Sequence, residues 1–370
     1  VLLATSLILA FAQTPSVQPS DYQTALLWYK DRGEVIRAEL LQELRHGLTP
    51  AQARGEAEIN YRIFAENGNT SAYATRLEGD RVVDIGAGLL QVLDWVATAV
   101  GGVGAFPSGA TCAEAYIPYL ADGIRENSRR GRRRAPLVPV AAFFTYAQTH
   151  RDTCRGITET SYRARQRADK ARAIAFAASF KFLLAHEMSH HLLGHVRELP
   201  RSLSTSEVRQ QETDTDKLAL KLLVKTGTNP IQALPLLLLF GALEDWSVLG
   251  GDHPATVDRF KWAWDAALAI LKDDPEFEPA LRKSGEWEGW TKAVALLKER
   301  FDELSDEPEL PLSAGLDSRE KACLERFVHG CMRDCMVNYG NSRAECRDNL
   351  CAPGKGSNGV WESRCRAEVR

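Results

Sequence analysis

The sequence lacks what would mark several large classes of protein. No apolar run reaches the roughly 18–20 residues a bilayer-crossing helix needs. The apolar stretch at 231–243 spans 13 residues and reads as a buried helix instead. No excess of one charge is present: 46 Lys and Arg stand against 49 Asp and Glu, a formal net charge of -3. That balance excludes the global electrostatic footprint of a nucleic-acid binder. No internal repeat is visible, so a solenoid is not expected. The six cysteines between Cys323 and Cys365 show no paired C-x-x-C spacing, which argues against a thiolate zinc site and for disulfides. A small molecule, peptide or protein is the partner these absences leave.

What is present suggests export. Residues 1–12 (VLLATSLILAFA) form a short apolar run that ends in small residues and is followed by a polar stretch, the pattern of a signal-peptide core and cleavage site. The chain has eight cysteines, an even number that fits pairing in an oxidising compartment, periplasmic or secreted. Residues 21–66 are expected to be helical, with a break at Gly47 and a new helix capped by Thr49 ahead of Pro50. A hairpin is expected around Glu78-Gly79-Asp80, followed by a helix from Leu89 to about Val100. Residues 101–170 hold four prolines, a glycine-rich start and the run Arg129-Arg130-Gly131-Arg132-Arg133-Arg134. They read as a partly irregular insertion that Cys112 and Cys154 can staple, with the arginine run as a solvated loop. Helices are expected at 171–195, 206–225 and within 258–303. A linker is expected at 304–318 and a small cysteine-rich domain at 319–370, whose six cysteines allow 15 pairings.

The chemistry concentrates in His186-Glu187-Met188-Ser189-His190, set in a helical pattern. Histidines at i and i+4 share one helix face, so both rings can reach one metal ion. Glu187 then projects beside the open position, where it can take a proton from the attacking water. Glu212 and Asp216 follow, four residues apart in the next helical segment. Two His and one Glu form a known zinc set, which makes Glu212 the third ligand and leaves Asp216 to bond a ligand imidazole. His191 and His195 have the wrong phase on a continuous helix to join the ligands and are expected to be structural.

These motifs, with His253-Pro254 and Arg259, resemble the gluzincin metallopeptidases that include HtpX and the CAAX prenyl proteases. Residues 71–93 resemble that family's strand region, and the likeness extends over about residues 60–260. Ser71 stands where the family usually has Asn, and Thr215 where it usually has Ala. The resemblance implies one zinc ion per chain and an edge strand, Ala72, Tyr73, Ala74 and Thr75 within it, that pairs with an extended peptide. It also implies that His253 stabilises the oxyanion and that Arg259 holds Asp216 or a substrate group.

The expected architecture is α+β and mostly helical. A thermolysin-like catalytic core occupies 21–303, and the disulfide-rich domain follows. The expected activity is cleavage of extended or misfolded protein segments in the cell envelope. The rival expectation is a catalytically silent factor that binds unfolded edges, or one whose function lies in the cysteine-rich tail.

Overall fold

The structure, a computed structural model, describes residues 22–65, 70–103, 105–132, 140–196 and 205–233, together with residues 236, 239, 265, 268, 269, 272, 278, 279 and 282. The chain divides into two compact units. One comprises Val1–Leu243 with Phe260–Ala280, and the other Glu244–Arg259 with Leu281–Arg370. Every element described below belongs to the first. The expected leader at 1–12, the linker and the cysteine-rich tail lie outside the described residues.

Helix α1 (Tyr22–Gly47) buries Leu26, Tyr29, Ile36, Leu40, Leu41 and Leu44, spaced at helical intervals along one stripe. Helix α2 (Pro50–Ala57) starts as its sequence dictates: Thr49 caps the Gln52 amide, the Gln52 side chain answers the Thr49 amide, and Pro50 opens the first turn. The chain then departs from the expected helix. Ile59–Phe64 forms strand β1, with Ile59, Tyr61 and Ile63 buried and Asn60 and Arg62 exposed. That alternation has the period of a half-buried strand and cannot be met by a helix.

Strands β2 (Ala72–Leu77) and β3 (Asp80–Gly86) form the expected hairpin. Its two loop residues, Glu78 (φ 54°) and Gly79 (φ 96°), both take the left-handed conformation, as the tightest hairpin turns require. β3 lies in the middle of a three-stranded mixed sheet, parallel to β1 and antiparallel to β2, so β2 is an edge. Register across β1 and β3 is marked by Arg62, whose guanidinium donates to both Asp84 oxygens at 2.7 and 2.6 Å.

Helix α3 (Ala87–Val103) follows β3 directly and is buried over most of its length. Residues 101–170 prove largely helical: α4 (Gly109–Arg132), α5 (Phe143–Thr149) and α6 (Glu159–Arg163) fall there. In α4 the buried residues Cys112, Tyr116 and Leu120 recur every four positions, a helical stripe strong enough to carry Pro118 inside the helix. α4 also reaches Arg132, so the arginine run begins as helix rather than loop, and arginine is a good helix former. Residues 133–134 of that run lie outside the described residues. Cys112 and Cys154 are bonded as expected. They close a loop with a sequence separation of 42, which the chain-entropy model values at about 4 kcal/mol.

Helix α7 (Gln166–Leu192) is the axis of the unit, 27 residues or about 40 Å long. It packs against α1, α3 and the later helix α8 (Thr205–Lys225). Phe176, Phe180, Phe182, Leu183, Leu184, Ala185 and Met188 are all buried on it. Two buried cations pin it. Arg172 donates to both carboxylate oxygens of Asp94 on α3 at 2.9 and 3.0 Å, and Tyr29 of α1 donates to the same carboxylate at 2.8 Å. Lys181, with its side chain 1% exposed, reaches Glu43 of α1 at 2.6 Å and Thr228 beyond α8 at 2.9 Å. Burial holds the Lys181 ammonium below the ordinary lysine pKa, while Glu43 pulls the other way. Of the expected helix over 231–243, Pro230–Ala233 is a short 3₁₀ turn, and Leu236 and Leu239 are buried. Among the described residues no helix is long and apolar enough to cross a membrane.

Removing Asp94 takes from the buried Arg172 its two-point carboxylate contact and leaves it the part-exposed Asp169 at 3.4 Å. Asp94→Ala is expected to cost about 3–5 kcal/mol in urea unfolding, and a change within ~0.5 kcal/mol would mean the triad does not hold α3 to α7.

Candidate metal centre

Two helices build the site. His186 and His190 lie one turn apart on the C-terminal part of α7, and Glu212 and Asp216 lie one turn apart on α8. Packing α8 against α7 brings those turns together. The Nε2 atoms of the two histidines are 3.2 Å apart. Glu212 Oε2 lies 3.4 Å from His186 Nε2, and its Oε1 lies 3.5 Å from His190 Nε2. These donor atoms all fall within 4.8 Å of one another, so His186, His190 and Glu212 form a group that can hold a metal ion. His186 and Glu212 are buried and His190 is half-buried.

Asp216 is fully buried and accepts a hydrogen bond from His186 Nδ1 at 2.7 Å. The proton of that neutral ring is thereby fixed on Nδ1, and the Nε2 lone pair is left facing the group. Imidazole lone pairs and a carboxylate crowded this closely repel one another unless a cation or protons lie between them. Two imidazoles and one carboxylate are also a donor set found at catalytic zinc sites, so the residues present fit a divalent ion. Glu187 is buried beside His186 on the same helix.

Of the other histidines of the segment, His191 is structural as its helical phase implied, and His195 departs from expectation. His191 is buried, and its Nε2 donates to the Val82 carbonyl at 3.0 Å, which ties α7 to the central strand. That is a structural role. His195 is not on the helix at all: α7 ends at Leu192, and Gly194 takes φ 73°. The His195 amide then donates to the His190 carbonyl at 2.9 Å and the Gly194 amide to the His191 carbonyl at 3.2 Å. This is the glycine-terminated helix end that pairs the sixth residue back to the first. Gly194 in the sequence was the signal that helical phase stops there. Burial pushes both His191 and His195 below the ordinary histidine pKa. For His191 the Val82 carbonyl opposes the shift, and for His195 Asp214 and Glu212 do.

Of the remaining site residues read from the sequence, Ala72, Tyr73, Ala74 and Thr75 lie on edge strand β2, which lies beside α7. Tyr73 is exposed. His253 and Arg259 lie outside the described residues.

A mostly helical α+β unit thus carries a largely buried His-His-Glu group that can hold a metal ion. Residues 139–273 match the model of the Peptidase U49 family, a similarity that implies a peptidase acting on protein substrates. The matched span includes α5, α6, α7 and α8, and with them His186, Glu187, His190, Glu212 and Asp216. No curated protein and no solved structure matches the chain.

Because Asp216 fixes the His186 tautomer, Asp216→Ala is expected to weaken divalent-metal binding about 10–100-fold in chelator competition. Unchanged affinity would remove Asp216 from the site.

Proposed function

We propose that the chain is a zinc metallopeptidase of the gluzincin type, related to HtpX and the CAAX prenyl proteases. The convergence of His186, His190 and Glu212 carries this reading, and the Peptidase U49 match across the same residues supports it. Zinc, when bound, supplies the Lewis acidity that lowers the pKa of water and polarises the scissile carbonyl. Asp216 orients the His186 ring. Glu187 takes the proton of the attacking water and passes it to the amide nitrogen as the C–N bond breaks, giving a carboxylate and an amine. His253 is assigned to stabilise the oxyanion and Arg259 to hold Asp216 or the substrate, on the family resemblance.

The substrate in this reading is an extended or misfolded segment that pairs with the open side of β2 through backbone hydrogen bonds. An envelope location, periplasmic or secreted, is supported by the Cys112–Cys154 disulfide and the leader-like start.

The test compares the full chain with Glu187→Ala on casein and quenched peptides, with metal content measured on both. Cleavage should fall at least about 100-fold in the variant while its metal content stays at one per chain. Equal cleavage by both would overturn the role of Glu187, and metal without cleavage in the wild type would favour the silent binder.

A further inference from the structure

The turn after α7 places a histidine the reaction does not use beside one that it does. His195 Nδ1 lies 3.2 Å from His190 Nδ1, with ring centroids 5.3 Å apart and planes inclined at 67°. Thr215, buried on α8, faces both rings: its Oγ1 is 3.2 Å from His195 Nδ1 and 3.5 Å from His190 Nδ1. The Thr215 hydroxyl donates to the Gln211 carbonyl at 2.7 Å, so toward the rings its oxygen is an acceptor.

A neutral imidazole carries one proton. With His190 Nε2 turned toward His186 and Glu212, that proton sits on Nδ1 and needs an acceptor there. For His186 the acceptor is the Asp216 carboxylate. On the far side of His190 stand His195 Nδ1 and Thr215 Oγ1. We propose that His195 is the positioning residue of His190: its Nδ1 accepts the His190 Nδ1 proton, with Thr215 Oγ1 as a longer second acceptor of the same proton, and this fixes the tautomer and ring plane and so turns Nε2 toward His186 and Glu212. The two ligand imidazoles are then held unequally, one by a carboxylate and the other by neutral groups. Thr215, where the resembling family usually has Ala, belongs to this arrangement, and Gly194 makes it possible by reversing the chain.

The inference rests on the reading of His186, His190 and Glu212 as a metal centre. The test loads the metal-free full chain with cobalt(II), whose visible bands report ligand geometry, and measures affinity and spectrum. His195→Ala should bind cobalt about 10–100-fold more weakly with shifted bands, while the unfolding midpoint of the metal-free protein stays unchanged. His195→Asn, whose amide oxygen can accept the same proton, should recover part of the affinity. Thr215→Val should show a smaller loss. Wild-type affinity and spectrum in His195→Ala would overturn the inference and leave the metal centre standing. So would Asn performing no better than Ala. A wild-type chain that binds no cobalt would overturn the metal centre itself and this inference with it.

Discussion

The Asp216–His186 hydrogen bond, buried between α7 and α8, is the interaction on which the site depends. It selects the tautomer that turns His186 Nε2 toward His190 and Glu212. It also fixes how α8 sits against α7, because Asp216 and Glu212 are one turn apart and must both meet the His186–His190 face. Were α8 to slide by a residue or two, the carboxylate bonding the imidazole and the one completing the ligand group would both miss. The buried aliphatic face of α8, Ala219, Leu220, Leu222 and Leu223, supplies the apolar packing that opposes such a slide.

The rest of the unit reads as support for α7. Arg172 is held by Asp94 of α3 with Tyr29 of α1, Lys181 by Glu43 and Thr228, and His191 by the Val82 carbonyl of β3. These polar anchors fall at successive levels along one helix surrounded by phenylalanine and leucine. Each is costly to leave unpaired, so together they define the rotation and depth of the helix more sharply than apolar packing alone. The helix that must present two histidines within 3.2 Å of each other is thereby the one most tightly specified.

Much of this was legible in the sequence, for local reasons. Thr49-Pro50 and Glu78-Gly79 encode a helix start and a turn through backbone chemistry that neighbours scarcely alter. The His186–His190 and Glu212–Asp216 spacings put each pair on one helix face wherever the helices go. Strand β1 was missed although Ile59, Tyr61 and Ile63 alternate with Asn60 and Arg62, because the run is only six residues long and its pairing with β3 is made across the chain. Residues 101–170 looked irregular when judged by proline and glycine. The Cys112, Tyr116, Leu120 stripe, which tertiary burial rewards, was the better guide. His195 was set aside by a phase argument valid only on an unbroken helix, and Gly194 breaks it.

The proposed function requires one metal ion held by two imidazoles and a carboxylate between α7 and α8. X-ray absorption at the metal edge of the purified full chain tests it most directly. One ion per chain is expected, ringed only by nitrogen and oxygen, with the outer-shell scattering of two histidines. Sulfur bonded to the ion would place it on cysteines instead, and that result, or the absence of any stoichiometric metal, would overturn the His186, His190 and Glu212 site.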